Sequence, residues 1–181
     1  MDTFKDCFEN SAQINHALVY LKGLASDLPA KSVEPIAIEI MGLGRVRALQ
    51  HFITGSTWDP DGVLKKSREN IAPRLFSPDG MITLDNSETP KKGKDSAGVA
   101  RQYCGNTGKI DNCQSGVFLG YASEKGYALL DCQLYCPEHW FSEEYEERRG
   151  KTHFPGDLEF KTKGNIALDL LKKAEKDDGC E

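Results

Sequence analysis

Gly116-Val117-Phe118-Leu119-Gly120-Tyr121 and Tyr127-Ala128-Leu129-Leu130-Asp131-Cys132-Gln133-Leu134 are two mainly apolar runs with a short polar stretch between them. Ser123-Glu124-Lys125-Gly126 supplies a tight turn, so the two runs read as a β-hairpin. Upstream, Ser77-Pro78-Asp79-Gly80 is a turn signal, and Met81-Ile82-Thr83-Leu84 after it is a short buried-strand candidate. The pattern of Ser96 to Tyr103 fits a strand or a short helix equally. Downstream, Glu143 to Arg149 is polar and reads as a surface helix or loop. Asn165 to Ala174 has helical spacing, with Ile166, Leu170 and Leu171 inward and Lys172 and Lys173 outward.

Residues 1 to about 76 have a different character. Phe8, Ala12, Ile14, Leu18, Leu21 and Leu24 recur at three- and four-residue steps, the mark of an amphipathic helix, and Gly23 weakens its last turn. Asp27-Leu28-Pro29 breaks it. Ser32 is placed to cap a second helix, with Ile36, Ile40 and Leu43 on its apolar face and Gly42 and Gly44 at its end. Val46 to Ile53, ended by Gly55, is a third helix. Asp59-Pro60-Asp61-Gly62 opens a fourth, Val63 to Leu75. A helical bundle followed by strand, hairpin and helix is an α+β order, with a helical region at 1–78 and a second domain at 79–181. The C-terminal helix calls for a further strand, and only Glu175 to Glu181 follow it, so the chain is expected to be cut short.

Charged residues make up 28% of the 181, with both signs mixed, which excludes global disorder. No run is long and apolar enough to span a bilayer. Met1-Asp2-Thr3-Phe4-Lys5-Asp6 has acids where a secretory signal needs bases, so a cytoplasmic protein without membrane partners is expected. The net charge of −5 excludes a uniformly basic nucleic-acid binder but leaves room for a local patch. Six cysteines are present, and reduced thiols are expected in that compartment. Cys132-x3-Cys136-x2-His139, with His153 further on, has the ligand types of a structural zinc. The preferred reading makes Cys132 a core residue of its apolar run.

The residue types that carry chemistry cluster after Leu84. Asp85 ends an apolar strand candidate and precedes a polar stretch, a position where a carboxylate is fixed yet open to a metal. Thr89-Pro90-Lys91-Lys92-Gly93-Lys94 follows. From Lys91 to Lys109 five bases (Lys91, Lys92, Lys94, Arg101 and Lys109) stand against the single acid Asp95, a concentration that suits a phosphate backbone. Gly105-Asn106-Thr107-Gly108-Lys109 lacks the spacing of a P-loop. In the helical half, Arg45, Arg47, Lys65, Lys66 and Arg68 are further candidates to face DNA, or form a solvated helix face.

Leu84-Asp85-Asn86-Ser87-Glu88-Thr89-Pro90-Lys91-Lys92-Gly93-Lys94, Ser96-Ala97-Gly98-Val99-Ala100-Arg101-Gln102-Tyr103 and Gly108-Lys109-Ile110-Asp111-Asn112-Cys113-Gln114-Ser115-Gly116 together resemble the central block of bacterial insertion-sequence transposases of the DDE superfamily. Pro137-Glu138-His139-Trp140 and Glu159-Phe160-Lys161-Thr162-Lys163 extend the likeness, as does Lys31-Ser32-Val33-Glu34-Pro35. The resemblance implies a helical N-terminal region followed by the first half of a ribonuclease H-like mixed sheet. It implies an enzyme that cleaves and joins DNA with Mg²⁺ held by three carboxylates, the first of them Asp85 or, if the second residue of that pair is the ligand, the position of Asn86, where Asp85 or Glu88 would have to substitute. It also implies DNA as partner, through Lys91, Lys92, Lys94 and Arg101, and makes 96–103 a loop or short helix. Two departures are expected to matter. The family usually reads Asp-Asp-Thr-Gly-Phe where this chain has Asp85-Asn86-Ser87-Glu88-Thr89, and the strand with the second Asp does not follow. The chain is therefore expected to be a truncated transposase inactive alone. The alternative is a non-catalytic derivative that binds DNA, pairs with full-length transposase or self-associates.

Overall fold

The computed structural model describes residues 2–152 and 154–177. The chain divides into two units, Met1–Lys66 and Ser67–Glu181. In the first, α1 (Ser11–Ala25) starts where Asn10 accepts the Gln13 N–H at 3.0 Å. The second helix, α2 (Val33–Met41), ends at Gly42, whose φ of +90° suits only glycine. It is followed by α3 (Val46–Gly55). Asp59 then accepts the Gly62 N–H at 2.9 Å and Pro60 takes the first helical position, which opens α4 (Pro60–Leu75); from Ser67 on, this helix belongs to the second unit. Ile36, Ala37, Leu49 and Phe52 form the buried core.

The inward face of α1 differs from the one its spacing suggests. Leu21 and Leu24 are exposed, while Ala17, Val19 and Tyr20 pack against the core. The reason is Gly23, which is buried. A Cβ there would lie 2.3 Å from Ile36 Cγ2, so glycine lets the two helices approach and turns the leucines outward. Ile40 and Leu43, expected inside, are exposed as well.

The second unit holds a four-stranded antiparallel sheet: β1 (Met81–Pro90), β2 (Ala100–Cys104), β3 (Lys109–Ser123) and β4 (Gly126–Tyr135). The long β3 is central. One edge carries β1 along its whole length, from Met81↔Ala122 to Pro90↔Cys113. The other carries β2 (Ala100↔Cys113) and then β4 (Ser115↔Tyr135). The hairpin is where its turn places it. By contrast β1 runs six residues past Leu84, so Asp85 sits inside a strand and not before a loop. Residues 100–104 are a strand, not loop or helix. After the short α5 (Glu146–Lys151), α6 (Lys163–Asp177) lays Ile166, Leu170 and Ala174 on Val117 and Leu119. This arrangement is α+β.

The register between Leu119 and Gly120 slips by one residue, which leaves Leu130 without a partner on β3. Leu130 packs against the core under α6, and its neighbour Asp131 is 2% exposed. Arg68, a candidate to face DNA, lies instead at 3.5 Å from the buried Asp131 and is itself 3% exposed. Lys173, expected to point to solvent, completes the cluster at 3.1 Å from the same oxygen. Arg68 is drawn inward because a buried carboxylate needs a counter-charge, and Lys173, 41% exposed, reaches the same oxygen from the surface. No helix among the described residues is long and apolar enough to cross a membrane.

Candidate functional site at the end of strand β1

Strand alternation sorts the acids of β1 onto opposite faces. Asn86 pairs with Val117 and Glu88 with Ser115, residues of the buried row under α6. Both therefore face the helix. Asp85 pairs with Phe118 on the other face, is exposed, and accepts the Asn86 backbone N–H at 2.8 Å. Asp85 and Glu88 thus do not converge.

Glu88 is the buried acid of the site, at 7% exposure. Its Oε1 accepts from the Asn86 amide at 2.6 Å, the Ser115 hydroxyl at 3.1 Å and the Lys163 ammonium at 3.3 Å. Its Oε2 accepts the Gly105 N–H at 3.2 Å, from the turn between β2 and β3. Burial pushes this carboxyl up, but the donors Asn86, Gly105, Lys163 and Ser115 together outweigh it and hold it below the ordinary glutamate range. Lys163 opens α6 and stands 5.2 Å over the Tyr135 ring. Thr162 fixes that helix start by accepting the Asn165 N–H at 3.2 Å.

The basic segment is ordered by one side chain. Asn112 donates its amide to the carbonyls of Lys91 at 2.6 Å and Gly93 at 2.9 Å, while its own carbonyl accepts the Lys91 N–H at 2.8 Å. Arg101 pairs with Asn112 from the other edge of β3. Lys91, Asn112 and Arg101 therefore make a row across the sheet. Lys92, Lys94 and Arg101 are exposed and Lys91 is half-buried. The row shares the face of Asp85, since Asn112 and Phe118, the partners of Arg101 and Asp85, are an even number of residues apart on β3, and Lys91 directly follows β1. Asp85 and Lys91 are six residues, or about 20 Å, apart along it.

A hard divalent cation needs several oxygen ligands from converging carboxylates or substrate. Among the described residues, no three His, Cys, Asp or Glu side chains lie close enough to hold a metal ion. The residues at β1 do not fit Mg²⁺: the helix-side position holds the neutral Asn86, and Glu88 is already bound to an ammonium. The zinc spacing finds no support in the thiols either. Burial pushes the Cys136 thiol up to about 11, and no cluster of metal-ligating side chains forms around it among the described residues. Cys132 is exposed on β4, and His153 lies outside the described residues. Sequence patterns alone missed Lys163, Ser115 and Asn112, because each acts through a partner distant in the chain. The i, i+2 spacing of Asn86 and Glu88 on one strand was the available signal.

The family described as DDE superfamily endonuclease matches residues 3–181. The protein named as the probable transposase for insertion sequence element IS701 of Microchaete diplosiphon is 33% identical over 151 residues, which cover 83% of this chain and 36% of that protein. The chain thus spans about a third of the length of this relative. No solved structure gives a significant match.

Proposed function

The chain belongs to the DDE superfamily endonucleases, and from that premise we propose a transposase-related protein that binds DNA through its basic row and does not cut it alone. One observation carries the second half. Asn86 and Glu88 face α6 with the Asn86 amide bound to Glu88, and Asp85 faces the other way. A single exposed carboxylate does not assemble a two-metal site. The test is incubation of the 181-residue chain with Mg²⁺ and DNA carrying the ends of the parent element. No cleavage is expected. Specific cleavage that disappears in Asp85→Ala refutes the reading.

The basic row supports DNA binding because Asn112 holds the lysine segment against the sheet, so less loop entropy is lost on contact. Four phosphate contacts give a slope of log affinity against log salt of about −3.6. Replacing Lys91, Lys92, Lys94 and Arg101 by Ser flattens that slope. Unchanged affinity and slope in the fourfold variant remove the row from the interface.

A second reading, pairing with full-length transposase or with another copy, draws on the outer edge of β1. No strand lies beside it among the described residues, and Met81, Ile82 and Leu84 are exposed along it. Such an edge invites strand addition. Co-elution with the full-length transposase that is lost in Ile82→Lys/Leu84→Lys supports pairing, and its absence in the unaltered chain removes it.

A further inference from the structure

The helix-side end of β1 holds a carboxylate whose counter-charge is already in place. Four donors reach Glu88, from β1, β3, α6 and the β2–β3 turn, and an ionised carboxylate offers about four lone-pair sites. Three of them are neutral. The fourth, Lys163, sits 3.3 Å from Oε1 with the Tyr135 ring on it at 5.2 Å. Its backbone is fixed by the Thr162 cap at the start of α6 and by the Lys161–Asp169 ion pair at 2.8 Å, which ties the residues before the helix to its second turn.

We propose that Lys163 is the resident cation of this site, occupying beside Glu88 the place a divalent metal would need and closing the β1 end to metal. The inference rests on reading that strand end as a position where the family holds a metal. It goes further by naming what replaces the metal and what that does to the fold. A dication entering there meets an ammonium at contact distance, finds a neutral amide in place of a second carboxylate, and must strip the Gly105 and Ser115 bonds from a residue nearly closed to water. The same ammonium ties the first turn of α6 to Glu88 on β1, and Glu88 in turn holds Ser115 of β3 and Gly105 of the β2–β3 turn. In this chain an internal cation performs the neutralisation that holds these four elements together, with no metal required.

The test uses Mn²⁺ as probe and the electron paramagnetic resonance signal of free Mn²⁺ as readout, on the full chain with folding checked by circular dichroism. The unaltered protein is expected to show no saturable site dependent on Glu88 through the millimolar range. Asn86→Asp/Lys163→Met, which supplies a carboxylate and removes the ammonium, gains Mn²⁺ affinity of about tenfold or more. Asn86→Asp/Lys163→Gln keeps a hydrogen-bond donor beside Glu88 and serves where the methionine variant does not fold; the same gain is expected. Asn86→Asp/Lys163→Arg keeps the charge and stays closed. Saturable Mn²⁺ binding to the unaltered chain that Glu88→Gln abolishes overturns the proposal. So does a folded double variant lacking the ammonium that binds no better than the unaltered protein. Metal binding without DNA cleavage overturns this inference and leaves the proposed function standing, whereas cleavage dependent on Asp85 overturns the function alone.

Discussion

Replacing Asp131 by Ala tests how the sheet unit is held together. Asp131 Oδ2 lies 3.5 Å from Arg68 Nη1 and 3.1 Å from Lys173 Nζ, and Oδ1 accepts the Cys132 N–H at 2.8 Å. The Asp131 and Arg68 side chains are each 3% exposed, so removing the acid takes from a buried guanidinium the carboxylate that lies 3.5 Å from it. Breaking a buried pair in this way costs about 3–5 kcal/mol. Lys173 is 41% exposed and can swing to water, so its share stays below about 1 kcal/mol. The loss is a large part of an ordinary stability of about 5–15 kcal/mol. Replacing both partners, as Arg68→Met/Asp131→Leu, removes the desolvation cost together with the attraction and is expected to be milder than Asp131→Ala alone. The assay is urea unfolding followed by Trp140 fluorescence in a Trp58→Phe background. Trp140 is fully buried in the sheet unit, where its indole donates to the Val99 carbonyl at 2.9 Å, and Trp58 belongs to the other unit. A loss below about 1 kcal/mol for Asp131→Ala, the value of a surface pair, refutes the reasoning. So does a double variant as unstable as the sum of its singles.

Gly23→Ala places a Cβ 2.3 Å from Ile36 Cγ2, and overpacking of this kind costs about 1–3 kcal/mol; a thermal midpoint equal to that of the unaltered chain contradicts the close approach of α1 and α2. Glu88 has its carboxyl held below the ordinary value of about 4.5, so its contribution is complete above that pH and is lost as pH falls through the lower folded value. The gap in urea midpoint between the unaltered chain and Glu88→Gln is therefore expected to be constant near neutrality and to shrink below about pH 4.5; a gap that widens on acidification has the wrong sign. Glu88→Gly strands Lys163 and the Gly105 N–H, while Asn86→Asp/Glu88→Gly returns an acid to the same face. The double variant is expected to recover about 0.5–3 kcal/mol in a double-mutant cycle, and additive losses rule out the exchange.

The hairpin at 116–134 was legible because its two runs are apolar and its turn is short, so local chemistry and burial agree. The helices of the first unit were legible by their caps, Asp59 and Gly42 above all. What resisted reading depends on partners far along the chain. Asp85 to Pro90 is polar and contains a proline, and nothing local marks it as a strand. It is one because β3 from Cys113 to Phe118 supplies its ladder, and an edge strand tolerates proline. The burial of Arg68 was hidden for the same reason, since its side chain serves a carboxylate 63 residues away. At the site, the acid and the basic segment were both visible as residue types. Which face each takes is set by the register against Val117 and Asn112, and no pattern within residues 85–94 encodes that.

The extension of β1 past Leu84 changes the chemistry more than any single residue does. On a loop, Asp85 and Glu88 could turn toward one another and share a cation. On a strand they cannot, because three residues of odd spacing put them on opposite faces. Asn86 and Glu88, two apart, share a face and touch at 2.6 Å. A neutral amide at 86 and a carboxylate at 88 therefore lie on the same side of the same strand. The charge at 88 lies among Ser115, Gly105 and the start of α6, where Lys163 meets it. The negative charge at this strand end is thus met from within the chain, by an ammonium 3.3 Å from Glu88 Oε1.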